Sequence, residues 1–200
     1  MANSLQLATD FLLFEQIRQP DPAARAALGE AAARLSAVGQ LHRFLCDHDG
    51  VATVDLEAFL AELCGLVAHS TGLTCTGDTD PATLPGAVAQ QLAIAINELA
   101  MNAAKHGYRS GQPGSLHVEC RRDNGRLRVT VSDHGRGLGQ GFSPDRTHGL
   151  GMSILQAIVR QLHATLEAGD DHGARFTITL PLGAEVARVS RSFAPVDREP

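Results

Sequence analysis

The sequence predicts an α+β protein: an N-terminal helical hairpin, then an α/β sandwich with helices on one face of a mixed sheet. Three observations carry this. Apolar residues recur at helical spacing as far as Leu45; the period drops to two beyond Gly107; and the segments after the hairpin read in the order α-β-α-β-β-α-β-β.

Within the hairpin, Leu7, Phe11 and Phe14 mark the first helix, QPDP interrupts it, and Leu28, Leu35, Val38 and Leu45 resume the pattern. Asp21 is placed to cap the second helix, with Pro22 at its first position. Two antiparallel helices bury little surface by themselves. Residues 1–50 are therefore expected to pair with a second copy as a dimeric four-helix bundle, the alternative being packing on the rest of their own chain. After a loop at His48 to Thr53, Val54 to His69 reads as a helix and Gly72 to Gly77 as a short strand. A long helix from about Pro85 to Lys105 is stopped by Gly107. Leu116, Val118 and Cys120, the turn Asp123 to Gly125, and Leu127, Val129 and Val131 describe a β-hairpin. A helix from about Gly151 to Leu162 follows, then strands near Thr165 to Ala168 and Arg175 to Leu180 around the turn GDDHG. The second domain is thus expected over 54–182, with a loose tail over 183–200.

The chain has 200 residues and a 44% hydrophobic content, enough for a real core. Its net charge of -5, from 17 basic and 22 acidic residues, gives no basis for a broad nucleic-acid surface. Cys46, Cys64, Cys75 and Cys120 show neither a CxxC pair nor zinc spacing and read as reduced thiols. No apolar run approaches the roughly 20 residues of a membrane span. The expected location is cytoplasmic, without direct membrane insertion.

Three stretches carry chemistry. In NELAMNAAKHG, Glu98, Asn102, Lys105 and His106 project from nearly one helical face. Such a face can be a solvated stripe or can line a nucleotide site: the Asn102 carbonyl suits Mg²⁺ bridging phosphates, Glu98 could orient or deprotonate a nucleophile, and Lys105 and His106 could contact phosphate. Asp133 shares strand parity with Leu127, Val129 and Val131 and so points to the apolar side. It either begins the turn DHGRG or accepts a hydrogen bond from an exocyclic amino group such as that of adenine. Gly135 and Gly137 allow close approach to the backbone, while Gly149, Leu150 and Gly151 open a helix whose N-terminal amides suit phosphate. GQGFSPDRTH, between these glycine pairs, has the length and composition of a lid.

Together these motifs resemble the GHKL (Bergerat) ATP-binding fold of histidine kinases, gyrase B, Hsp90 and MutL. NELAMNAAKHG is similar to the N box, DHGRGL to the G1 box, HGLGM to the G2 box and GARF to the last adenine-side motif. The resemblance implies ATP and Mg²⁺ between sheet and lid, with Asp133 on the adenine amino group and Asn102 on Mg²⁺. It places Lys105 and His106 near phosphates, Glu98 at the acidic N-box position, and Gly135, Gly137, Gly149 and Gly151 at lid hinges and phosphate contacts. Ala174 stands where the family usually has Thr, which implies weaker ATP binding. NSLQLATDFLLFEQ, AARAALGEAAARLSAVGQLHRFL and VDLEAFLAEL resemble the second His-kinase-A family, related to the HWE kinases, without their tryptophan signature. In that family the phosphoaccepting His precedes the NxLQ-like segment, whereas here Asn3 to Gln6 begin just after that place. His42, followed by Arg43, is the substitute within the chain, although the resemblance aligns it with a position the family does not phosphorylate.

The expected function is the core of a two-component histidine kinase, a homodimer that binds Mg-ATP and serves phosphotransfer to His and then to a response-regulator receiver domain. The alternatives are a dimeric phosphotransfer adaptor with a vestigial ATP domain, and a GHKL serine kinase of the anti-sigma type.

Overall fold

The computed structural model describes residues 2–46, 53–109, 112–147 and 149–182. The chain divides into two compact units, Met1–Gly50 and Val51–Pro200. The tail expected from residue 183 lies outside the described residues, as does most of the loop before β1.

The first unit is the expected hairpin, α1 (Ala2–Arg18) and α2 (Pro22–Cys46). Asp21 caps α2 as its position suggested, accepting the amides of Ala23 and Ala24 at 3.1 and 3.3 Å. Small residues let the helices approach closely: Ala32 is buried, and a Cβ at Gly29 would lie 2.4 Å from the Gln16 side chain. Thr9, also buried, satisfies its hydroxyl on the Leu5 carbonyl at 2.9 Å. Leu7, Phe11, Phe14 and Ile17 remain 54–82% exposed, an apolar face of α1 that α2 does not cover. His42 lies within α2, and its side chain is outside the described residues.

In the second unit the sheet order is β2-β4-β5-β7-β6, from β2 (Thr74–Thr79), β4 (Ser115–Asp123), β5 (Arg126–Asp133), β6 (Thr165–Asp170) and β7 (Ala174–Pro181). β2 runs parallel to β4 and every other pair is antiparallel. Leu116, Val118 and Cys120 of β4, Leu127, Val129 and Val131 of β5, and Phe176, Ile178 and Leu180 of β7 are buried, alternating along β4 and β7 with less buried residues. Against this core lie the buried residues of α3 (Leu56–Thr71), α4 (Gly86–Asn102) and α5 (Leu150–Gln161). The mixed sheet and the helical layer agree with the sequence expectation.

Differences lie at the ends of elements. The α3 helix begins at Leu56 because Asp55 caps it, accepting the Ala58 amide at 2.9 Å. It ends later than the pattern suggested, since Gly72 adopts φ 73° and donates its amide to Ala68. That cap moves the start of β2 to Thr74. A small antiparallel ladder, β1 (Thr53–Asp55) with β3 (Thr83–Pro85), was not expected. Strands of three residues are too short to show a period, and this pair exists only through its mutual hydrogen bonds. Finally, α4 does not stop at Lys105 but passes into a π-helical turn, Ala103–Gly107. Such a turn changes the angular position of the residues it contains.

Candidate nucleotide-binding site

Asp133 ends β5 opposite Leu116 and keeps the parity of the buried β5 residues, which takes its carboxylate into the interior with only 5% exposure. Burial of a charge demands partners. Oδ1 accepts the Gly135 amide at 2.8 Å and the Ala174 amide at 3.2 Å, whereas no hydrogen bond from the described residues reaches Oδ2. This is a buried acceptor with an unused oxygen, the arrangement that suits a donor brought by a ligand.

Three backbone segments surround this carboxylate, and glycine is what lets them meet. A Cβ at Gly107 would lie 3.6 Å from both Asp133 oxygens, in ordinary contact. A Cβ at Gly135 would fall 2.4 Å from the Gly107 carbonyl, and one at Gly173, whose φ is 150°, 2.0 Å from the Asp133 carbonyl. The Arg136 amide donates to the Gly107 carbonyl at 2.9 Å, and its Nε donates to the His106 carbonyl. The G1-like loop is thereby fastened to the end of the π turn. Gly137, at φ 75°, takes the chain out of this loop.

Tyr108, not singled out from the sequence, is a second fastening. Its hydroxyl donates to the Ser115 carbonyl at 2.7 Å and accepts the amides of Ser115 at 3.1 Å and His134 at 2.9 Å. One donor and two acceptor positions are all that a phenol offers, so the group is fully used. No local pattern around Tyr108 announced this, because its partners come from β4 and the DHGRG loop.

The helix residues divide. Glu98 is buried, Asn102 partly buried, and Lys105 and His106 exposed, so the stripe is solvated only toward its C-terminal end. Lys105, in the π turn, lines a cavity of about 340 Å³ with Thr71, Leu73, Tyr108 and Arg109, on the side of the turn that faces the end of α3. His106 contributes its backbone carbonyl to the Arg136 contact.

Beyond the lid-like stretch, α5 begins at Leu150 with Gly149 at its N-cap and no side chain capping it. The first-turn amides around Leu150 and Gly151 are of the kind that receive an anion. His148 lies outside the described residues. The lid-like stretch is docked in this structure: Phe142 packs edge-on against Phe176, with centroids 5.8 Å apart, and Gln156 of α5 donates to the Pro144 carbonyl at 2.5 Å.

The lid's leading end is held by Asp170, also unforeseen, whose Oδ1 accepts the Leu138 amide at 2.6 Å. Asp170→Ala should leave thermal stability within about 1 kcal/mol of the parent, the range of one exposed hydrogen bond. Amide exchange from Leu138 through the lid should quicken. Hydrogen-exchange mass spectrometry showing unchanged rates there would remove Asp170 from this role.

The five-stranded mixed sheet with its helical layer has the fold of the GHKL ATPases. Residues 87–184 match the family described as Histidine kinase-, DNA gyrase B-, and HSP90-like ATPase, and residues 1–71 match the family described as Histidine kinase. Residues 1–71 thus fall in a histidine kinase family and residues 87–184 in the GHKL ATPase family.

The sensor histidine kinase PdtaS of Mycobacterium tuberculosis is 27% identical over 193 residues, covering 90% of this chain and 38% of the relative. The blue-light-activated histidine kinase 2 of Erythrobacter litoralis is 25% identical over 137 residues, covering 66% of this chain and 40% of that protein. The chain thus spans about two fifths of these relatives' length. Among solved structures, the histidine kinase domain of the Erythrobacter litoralis EL346 blue-light activated kinase superposes with a TM-score of 0.70 at 23% identity, covering 94% of this chain and 97% of that domain. At that identity the likeness is one of fold.

Proposed function

We infer that this chain is the dimeric, cytoplasmic kinase core of a two-component system, binding Mg-ATP for phosphotransfer to a histidine and onward to a response-regulator receiver domain. The observation that carries the reading is the unused Oδ2 of buried Asp133. An adenine amino group is a donor and would satisfy it, whereas the carbonyl at the same place on guanine would be repelled. The Leu150 and Gly151 amides, at the positive end of α5, would receive phosphate, with His106 supplying a further donor and Lys105 reaching phosphate only once its side chain leaves the cavity beside the end of α3.

Among the described residues no group of three His, Cys, Asp or Glu could hold a metal, and the partly buried Asn102 offers a single carbonyl. That fits Mg²⁺, which is commonly bound by few protein groups together with substrate phosphates and water. Mg²⁺ would neutralise phosphate charge there. Glu98, one helical turn before Asn102, would orient the accepting nucleophile or take its proton.

The test is titration with a fluorescent ATP analogue with and without Mg²⁺, followed by radiolabelled ATP. Asn102→Ala should abolish the Mg²⁺-dependent part of the affinity. Binding in the parent without labelled protein would place the acceptor outside this chain, while label lost in His42→Ala would place it at His42. Absence of nucleotide binding in the parent would sink the kinase reading and favour the adaptor.

The exposed face of α1 supports dimerisation through a four-helix bundle, since fully burying each large apolar side chain there stabilises by about 1.5–3 kcal/mol. Phe11→Glu should shift the chain from dimer to monomer in light scattering at micromolar concentration. A parent that is already monomeric would refute the dimer.

A further inference from the structure

Away from the nucleotide site, α3 and the edge strand β2 bring two cysteines together. Gly77 of β2 has no side chain to hold the helix off: a Cβ there would lie 2.6 Å from the Leu60 side chain and 3.3 Å from the Cys64 sulfur. Cys75 precedes Gly77 by two residues on the same strand, so both face α3. Its thiol lies close enough to that of Cys64 for each to shift the other's titration. Cys64 is buried and Cys75 partly exposed. Cys120, on β4 opposite Thr79, faces the same side but is displaced by four residues along the ladder from the partner of Cys75.

We propose that Cys64 and Cys75 form an oxidation site at which hydrogen peroxide converts the two thiols into an intramolecular disulfide joining α3 to β2. Cys64 is the attacking sulfur. Interaction with the Cys75 thiol holds the Cys64 thiol below its ordinary value, while interaction with Cys64, together with burial, raises Cys75. The Cys64 thiolate attacks the peroxide, the O–O bond breaks, and Cys64 becomes a sulfenic acid as the first water leaves after protonation. The Cys75 sulfur then attacks the sulfenic sulfur; the S–S bond forms, the S–O bond breaks and a second water departs. Two thiols lose two electrons and the peroxide is reduced to two waters. Cys120, whose thiol is pushed up to about 12 chiefly by burial, stays a spectator.

The experiment treats the full chain carrying Cys46→Ser with hydrogen peroxide under non-denaturing conditions and follows intact mass and thermal midpoint. The expected result is the loss of two hydrogens per chain, a higher midpoint, and reversal of both by dithiothreitol. Trypsin cannot separate the two cysteines, because no Lys or Arg lies between Arg43 and Lys105. Chymotryptic cleavage at Leu66 or Leu73 can, and should yield a Cys64–Cys75 cross-linked pair. The cross-link should persist in Cys120→Ser and vanish in Cys75→Ser, where Cys64 should instead accumulate as sulfenic acid reactive toward dimedone. A Cys64–Cys120 link, or unchanged thiols under peroxide that fully oxidises the chain once unfolded in urea, would overturn the proposal. The peptide map of the parent requires no variant beyond Cys46→Ser, so a misfolded mutant cannot mask the answer.

Discussion

Asp133→Asn is expected to weaken adenine-nucleotide binding by about 1.5–3 kcal/mol, roughly 10- to 150-fold, the range for a hydrogen bond to a charged group. Oδ1 already serves the amides of Gly135 and Ala174, so the amide oxygen of Asn takes that place and the fold is kept. The NH₂ group is then left where Oδ2 stood, a donor aimed at the donor of adenine. Inosine triphosphate, with a carbonyl at that position, should lose far less affinity or gain some. The ratio of the two affinities, measured by calorimetry on parent and variant, therefore inverts or narrows sharply if Oδ2 reads the amino group. Equal losses for both nucleotides would mean that Asp133 acts only by holding the loops together.

Gly173→Ala carries the largest expected effect on stability. The new Cβ would sit 2.0 Å from the Asp133 carbonyl, on backbone at φ 150°, so neither contact nor conformation can relax by turning a side chain. Overpacking and left-handed strain together should cost about 3 kcal/mol or more, lowering the thermal midpoint by roughly 10 °C. Gly135→Ala, which meets the Gly107 carbonyl at 2.4 Å, should behave similarly. Gly149→Ala is the contrast: nothing lies within 4 Å and its φ of 165° is ordinary extended backbone, so the midpoint should hardly move. Differential scanning fluorimetry of the three separates them. A stable Gly173→Ala would show that the β7 start can shift away from Asp133, and would weaken the account of why the carboxylate is enclosed.

The glycine motifs therefore contain residues of different kinds, which the sequence did not distinguish. Gly135 and Gly173 are required because another backbone occupies the space of a side chain, and that backbone comes from the π turn or from β5. Gly149 has open space and is free to admit a ligand. Ala174 belongs to the same lesson. Its departure from the expected Thr suggested a missing hydrogen bond near adenine, yet its backbone amide still donates to Asp133, a contact no side chain at that position is needed to make.

What the sequence determined by itself is whatever depends on neighbours along the chain. The hairpin was legible because QPDP breaks a helical period, the β4–β5 pair because period-two runs flank Asp123 to Gly125, and the buried aim of Asp133 because strand parity is local. Only the tertiary structure decided the rest. The β1–β3 ladder joins segments about thirty residues apart and exists through pairing alone. The contacts of Tyr108 with β4, of Asp170 with Leu138, and of Cys64 with Cys75 arise because the order β2-β4-β5-β7-β6 and the layer of helices bring distant segments together. Periodicity records which face of an element is buried; it holds no record of which other element will cover it, and there the partners of these side chains are chosen.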